Sequence, residues 1–507
     1  MGNTKRTQRI RHGLVWLVCA GLVAGVAWTA TSCLHRPEAP TRAPTLAEVH
    51  RLAALRSHNL AAGPVDIIVT MPDASGGGGM TGRIDWSQPL LTAATTPAGD
   101  SRPNGFVQAV PGLVASHPAD PDIELSALPD TGWTVRRTRT SAGDTAATDI
   151  ALSALLALGG DSDKDPDTLA GSSTWIKEAS IDGAVVDVFR APLLLDAASD
   201  PTSTDAPEDR SSGTSAAAGV DHPAVDTSAT ALPGRTATPE GVFWVDRDGG
   251  LRRVQFDPAG TGLVTADFLW DRSDTESDHP VPILGGAVNE PRELSGAEVT
   301  RLAGMRVSNA ARTAEVDIEL PVGDDEMVHA TGWVDWRMPM VYLALDAPGD
   351  DNDGLLFAMV GGVATRAGAV EGHPPAVPDS TGWSVEPWAD RVVDGRPSEL
   401  DSLLFKLLVL TSPQPDDEAT VAEVGSWLRA DDIDGDITSV VEFPIAGDTP
   451  TDRPGLAPYR YWIDDTGGLR RVELRVDGLG MAHADLADTD APQVVVPDAV
   501  LSGLTGG

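Results

Sequence analysis

Cysteine is nearly absent. The 507 residues contain two, Cys19 and Cys33, both near the N-terminus, so the body of the chain has nothing to form a disulfide or a cysteine metal site. Lysine is almost as scarce, and basic side chains together number 37 against 75 acidic ones. The resulting net charge of −38 argues against a nucleic-acid binder, which needs a basic surface to neutralise phosphates. Aromatic residues make up only 5%, but 41% hydrophobic and 22% charged residues are ordinary for a globular protein, so wholesale disorder is excluded.

Catalytic signatures are also lacking. The ten histidines are scattered, and no His-Glu-x-x-His, Gly-x-Ser-x-Gly, Walker or Gly-x-Gly-x-x-Gly pattern occurs in a suitable setting. Asp161, Asp163, Asp165 and Asp167 alternate as in a calcium loop. Such a loop needs Gly at position six and Glu at position twelve, where this chain has Pro166 and Ser172. We therefore read a solvated acidic loop, with no metal site. No cofactor is implied, and the chain reads as a non-enzyme.

What is present begins at the N-terminus. Lys5, Arg6, Arg9 and Arg11 precede an uncharged apolar stretch at residues 14–30, about 26 Å long as a helix and extended to spanning length by its neighbours. The basic flank stays inside, so everything after Arg36 is expected outside the cell membrane, carrying 32 positive and 75 negative side chains. Residues 1–34 are read as a signal peptide or signal-anchor. Ala30-Thr31-Ser32 before Cys33 leaves a third option open, a lipoprotein signal with lipidation at Cys33. Residues 35–45, with Pro37, Pro40 and Pro44, read as a stalk.

The body is one unit written twice. A shift of about 250 residues lays Leu52, Arg56 and Asn59 on Leu302, Arg306 and Asn309, and Gly82, Asp85 and Trp86 on Gly332, Asp335 and Trp336. Val65-Asp66-Ile67 falls on Val316-Asp317-Ile318 after a one-residue slip, and Thr131-Gly132-Trp133 on Thr381-Gly382-Trp383. Trp175 matches Trp427. Late in each unit, Trp244-Val245-Asp246 and its Gly-Gly-Leu-Arg-Arg-Val continuation match Trp462-Ile463-Asp464 and theirs. The shift shortens before this last block, so the first copy carries an insert. Residues 192–240, rich in Ser, Thr, Ala, Asp and Pro, are expected to be a disordered loop. The partition is a first α+β repeat at 46–271, a linker at 272–291, a second repeat at 292–490 and a tail at 491–507.

Each unit opens on a helix, with Ser295 and Glu298 forming a capping-box pattern in the second copy. Alternating strands follow, then a Leu-rich helix near residues 152–158 or 403–410. Asp182-Gly183 and Asp434-Gly435 mark hairpins, as do the Gly-Gly pairs after Asp246 and Asp464. The tally is two helices and eight or more antiparallel strands per copy, an α+β fold.

These late hairpins, the Asp-Gly hairpin upstream and the N-terminal helix with its long strands resemble LppX/LprG-type lipoproteins, which are similar to the LolA/LolB lipoprotein carriers. The resemblance implies two tandem copies of a curved antiparallel half-barrel whose concave face is closed by helices. It also implies an apolar cavity that holds acyl chains.

The matched tryptophans Trp86/Trp336, Trp175/Trp427 and Trp244/Trp462 are the candidate ligand-binding residues, with core packing as the alternative. Arg252-Arg253 and Arg470-Arg471 are the matched basic feature, set either to meet an anionic headgroup or to pair with nearby carboxylates. The expectation is a membrane-tethered envelope protein holding lipid or another apolar ligand. The alternative is an envelope scaffold or sensor with solid cores that docks a protein partner. A hollow or filled concave face separates the two.

Overall fold

The structure, a computed structural model, describes residues 40–193, 240–270 and 279–505, apart from short loop stretches within them. The apolar segment at 14–30, Cys33 and most of the insert lie outside the described residues. Among the described residues, no helix is long and apolar enough to cross a membrane.

The first copy opens on helices α1 (Leu46–Ala53) and α2 (Leu55–Ala62), followed by strands β1 (Val65–Thr70), β2 (Gly79–Asp85), β3 (Leu90–Thr96), β4 (Gly105–Val110), β5 (Leu113–Pro118) and β6 (Thr134–Arg137). Helices α3 (Asp144–Leu156) and α4 (Pro166–Ser172) lead to β7 (Thr174–Ile181), β8 (Ala184–Pro192), β9 (Glu240–Asp246), β10 (Leu251–Phe256) and β11 (Val264–Leu269). All eleven strands form one open, curved antiparallel sheet in the order β6-β5-β4-β3-β2-β1-β11-β10-β9-β8-β7.

The second copy repeats the plan. It contains β12 (Arg292–Glu293), α5 (Gly296–Asn309), β13 (Thr313–Gly323), β14 (Glu326–Asp335), β15 (Met340–Asp346), β16 (Gly354–Met359), β17 (Gly362–Ala367) and β18 (Ser384–Pro387). Then come α6 (Glu399–Val409), α7 (Glu418–Val424), β19 (Ser426–Ile433), β20 (Asp436–Glu442), β21 (Tyr459–Ile463), β22 (Leu469–Val476) and β23 (Gly480–Ala487), and α8 (Asp498–Thr505) ends the chain. The sheet order is β12-β19-β20-β21-β22-β23-β13-β14-β15-β16-β17-β18. The expected α+β fold of two curved antiparallel sheets packed with helices is the fold observed.

The structure realigns one block of the repeat. Gly82 pairs with Ile67, and its counterpart Gly332 pairs with Val316, so Ile67 rather than Val65 matches Val316. A two-residue slip keeps every side chain on its own face, which is why alternation could not reveal it. Both glycines are needed for close strand approach: a Cβ would stand 2.0 Å from Thr92 O in one copy and from Tyr342 O in the other.

Helix count also differs from the expectation of two per copy. The acidic run ends as a cap: the Asp165 carboxylate accepts from Asp167 and Thr168 N–H and starts α4 with Pro166 at its first turn. Asp417 caps α7 through Thr420 N–H in the same way. The capping box at Ser295 is present, and Thr45 with Glu48 forms its twin.

One hydrophobic cluster per copy fills the space between helices and sheet, from Val49 and Leu52 to Phe268 in the first and from Val299 and Leu302 to Leu486 in the second. The ends of the Leu-rich helices are tied to it identically. Terminal helix carbonyls have no partner in their own helix. Here Trp86 Nε1 donates to Leu155 O at 3.0 Å and Asn59 Nδ2 to Leu158 O at 2.8 Å. Trp336 Nε1 donates to Leu407 O and Asn309 Nδ2 to Leu410 O, both at 2.8 Å.

The copies pack on one another. The β13–β14 turn meets edge strand β6: Asp325 N–H donates to Val135 O at 3.0 Å, and its carboxylate faces Arg136 at 3.6 Å and Arg139 at 3.0 Å. Linker residues Val281 and Ile283 are buried with Phe106, Trp133, Val135 and Met327. At the far edge of the second sheet, α8 covers β17 and β18, placing Val500 and Leu504 over Tyr342 and Phe357. The remaining edges are short: Arg42 bridges to Trp175 on β7, and two-residue β12 closes β19.

Candidate functional site

The six candidate tryptophans have clear places. Trp86 and Trp336 are buried pins between strand and helix, as above. Trp175 and Trp427 are half-buried under guanidinium groups, with Arg42 at 4.1 Å from one ring and Arg292 at 3.9 Å from the other. These arginines also grip Glu48 and Glu298, each pair at 2.7 Å, which holds both carboxyls down to about 2. Trp244 lies 5.9 Å under Arg253, while Trp462 is fully buried between Arg429 and Arg471 and donates to Asp431 at 3.2 Å.

The repeated Trp-x-Asp-x-x-Gly-Gly-Leu-Arg-Arg motif is a self-contained turn. Asp464 accepts from Thr466 N–H at 2.9 Å, Gly468 N–H at 2.8 Å and Arg470 Nε at 2.9 Å. Asp246 makes the same set with Asp248, Gly250 and Arg252. The second arginine of each pair reaches across to the next strand, Arg253 to Asp267 and Arg471 to Asp485. Pairing with neighbouring carboxylates is thus what both arginine pairs do. Asp464→Ala is expected to cost about 1–3 kcal/mol, because buried Gly468 N–H and half-buried Arg470 lose their acceptor, and a denaturant melt measures it.

A cavity of about 400 Å³ opens beside α6 in the second copy. Asp401, Ser402, Phe405 and Lys406 line it from that helix, where Asp401 and Phe405, and Ser402 and Lys406, are each four apart and so neighbours on its surface. Trp388, Arg391 and Val392 close it from the 3-10 turn after β18, with Pro397, Asp448 and Tyr459 completing the wall. Trp388 meets Phe405 edge-on at 5.8 Å, and Phe405 and Val392 remain about two-fifths exposed at the mouth. None of the six candidate tryptophans is among these lining residues.

The polar groups of the wall are paired with one another. Lys406 is almost fully buried, and its ammonium donates to Asp448 Oδ1 and Oδ2 at 2.7 and 2.8 Å and to Ile445 O at 3.0 Å, 4.3 Å from the Tyr459 ring. Burial lowers its pKa, and Asp448 opposes that shift. Arg391 binds Asp401 and Glu386, each at 2.9 Å. Tyr459 OH donates to Ser402 O at 3.3 Å, and burial pushes its phenol up to about 12. Trp388 Nε1 donates to Met359 O at 2.9 Å.

The copies part company here. The Trp86–Leu155 and Trp336–Leu407 bonds align the two helices, so Lys406 stands where the first copy has Ala154, and Phe405 where it has Ser153. Tyr459 replaces Gly241, three residues before each hairpin tryptophan. By contrast Asp401 keeps its counterpart in Asp149, which pairs with Arg136. These lining residues escaped sequence reasoning, which looked for what the copies share. One clue was available: Lys406, one of four lysines, interrupts an apolar run.

No family model matches the chain, and no curated protein matches it. Solved structures similar to it include the Mycobacterium tuberculosis lipoprotein LppX, 13% identical over 46% of this chain and 98% of that one with a TM-score of 0.24. Another is LprF from Mycobacterium bovis, 11% identical over 48% of this chain and 98% of that one, with a TM-score of 0.25. A putative outer membrane lipoprotein-sorting protein domain from Vibrio parahaemolyticus is 11% identical over 45% of this chain and 95% of that one, with a TM-score of 0.16. The type of lipoprotein named from the hairpin motifs is thus among the solved structures to which this chain is similar.

Proposed function

We propose that this is a membrane-tethered, extracytoplasmic binding protein of the cell envelope that holds lipid or another apolar ligand in its second copy. The observation that carries the reading is the cavity beside α6, concave, lined by Trp388, Val392, Pro397, Phe405 and Tyr459, and within the size range of small-molecule sites. Tethering rests on the basic residues and apolar stretch at the N-terminus, with the membrane as the first partner. Binding rather than catalysis is favoured by a wall whose charged groups neutralise one another instead of converging on the cavity.

A second reading, a scaffold or sensor docking another envelope protein, is favoured by the hydrophobic clusters packed between helices and sheet in both copies. Native mass spectrometry of protein gently extracted from its own host tests the choice. About one bound apolar molecule per chain, lost in Ser402→Phe, is the expected result. Wild type that carries no ligand and takes up none would leave the docking reading.

A further inference from the structure

We propose that the ligand group entering the cavity beside α6 is uncharged, and that the Lys406–Asp448 pair keeps anionic groups out. This rests on the reading of that cavity as the binding site.

Charge follows from pairing. The three ammonium protons of Lys406 are directed to three acceptors, both Asp448 oxygens and Ile445 O. Arg391 is held between Asp401 and Glu386. A carboxylate or phosphate entering the cavity would have to shed water and then displace Asp448 or Asp401 from its cation. Breaking a buried pair without replacing its partner equally well is strongly unfavourable. An uncharged group needs neither step and packs against Trp388, Phe405 and Tyr459. The first copy shows that the fold does not require the pair, because Ala154 occupies the Lys406 position and stays buried there.

The test uses full-length protein in detergent, with Ser402→Phe as the blank that subtracts partition of probe into micelles. N-Phenyl-1-naphthylamine should give a saturable fluorescence signal in wild type and none in Ser402→Phe. Its sulfonated relative 1-anilinonaphthalene-8-sulfonate should give no saturable signal. Decan-1-ol should displace the neutral probe at least tenfold more tightly than decanoate at pH 8. Ile445 N–H donates to Asp448 Oδ2 at 2.9 Å, so Asp448→Asn, which removes the negative charge beside the ammonium while leaving an acceptor, should narrow that gap by tenfold or more. Decanoate equal to or better than decan-1-ol in wild type would overturn the charge assignment and leave the binding site standing. The absence of any saturable signal in folded wild type would overturn both. Near-ultraviolet circular dichroism checks each variant, and Ser402→Leu serves as the blank if Ser402→Phe does not fold.

Discussion

Trp336→Ala is expected to destabilise the second copy by about 3–5 kcal/mol, as loss of a large buried aromatic does. The ring is 1% exposed, belongs to the cluster of α5, α6 and the sheet, and Arg312 stacks 5.4 Å from it. Two losses combine in this change. A cavity opens between β14 and α6, and Leu407 O near the helix terminus loses its donor. Trp86→Ala should cost the first copy a similar amount through the cavity it opens, although Leu155 O keeps the Leu158 N–H at 3.2 Å. Urea melts of both variants measure this. A loss below about 1 kcal/mol in either would mean that the indole is not the pin described.

Raising the pH from 5 to 8 is expected to weaken the second copy by a few kcal/mol. On the sheet face away from the helices, Glu319, His483, Glu473 and Arg460 stand in register across β13, β23, β22 and β21. All four are buried, and neither Glu473 oxygen has a hydrogen-bond partner among the described residues. Arg460 is its nearest cation at 3.7 Å, with Arg471 and Arg429 also drawing its pKa down and Asp431 raising it. Burial still pushes Glu473 and Glu319 up to about 7, and Glu319 also feels Asp317 and Asp485 while accepting from Gly132 N–H. His483, beside Glu319, Asp485 and Arg471, is pushed down to about 4 by burial.

The signs oppose one another. Each raised carboxyl contributes stability that is whole below about 4.5 and lost as the pH climbs to about 7. The depressed histidine acts the other way, losing stability as the pH falls from about 6.5 to 4. Two groups against one leave net stability falling with rising pH, on the order of 3 kcal/mol at 1.36 kcal/mol per unit. Glu473→Gln installs the residue of the first copy, where Gln255 donates to Thr265 at 2.9 Å. It should match wild type at pH 5 and exceed it at pH 8. A wild-type urea midpoint that is flat from pH 5 to 8 would refute this account.

Duplication and strand content were legible because the residues that shape turns recur in both copies. Asp246 and Asp464 need Gly250 and Gly468 beside them, where a Cβ would stand 2.8 and 2.6 Å from the carboxylate. Asp182, with φ of 48°, and Gly183 make the tight hairpin that the dipeptide announced. Short α4 and α7 stayed hidden because a capping aspartate in an acidic run looks like one more solvated charge. The cavity was hidden for the opposite reason to the repeat. Its Phe405, Lys406 and Tyr459 stand where the copies differ, its wall is drawn from a helix, a 3-10 turn and the loop around Asp448, and no spacing in sequence brings these together. The tryptophans stood out because they match, and what matches between copies is mostly what both need in order to fold.

The docking of the β13–β14 turn on β6 has a consequence for any attempt to divide the protein. In the whole chain, the backbone of β6 finds Asp325 N–H waiting at Val135 O, and Val281 and Ile283 cover the adjoining apolar face. A first repeat produced alone would present that strand bare, with unspent carbonyls and amides above an uncovered Phe106 and Trp133. Such a margin is a template for another chain. The excised repeat should therefore self-associate in solution even where the intact protein stays dispersed, making the second repeat a built-in guardian of the solubility of the first.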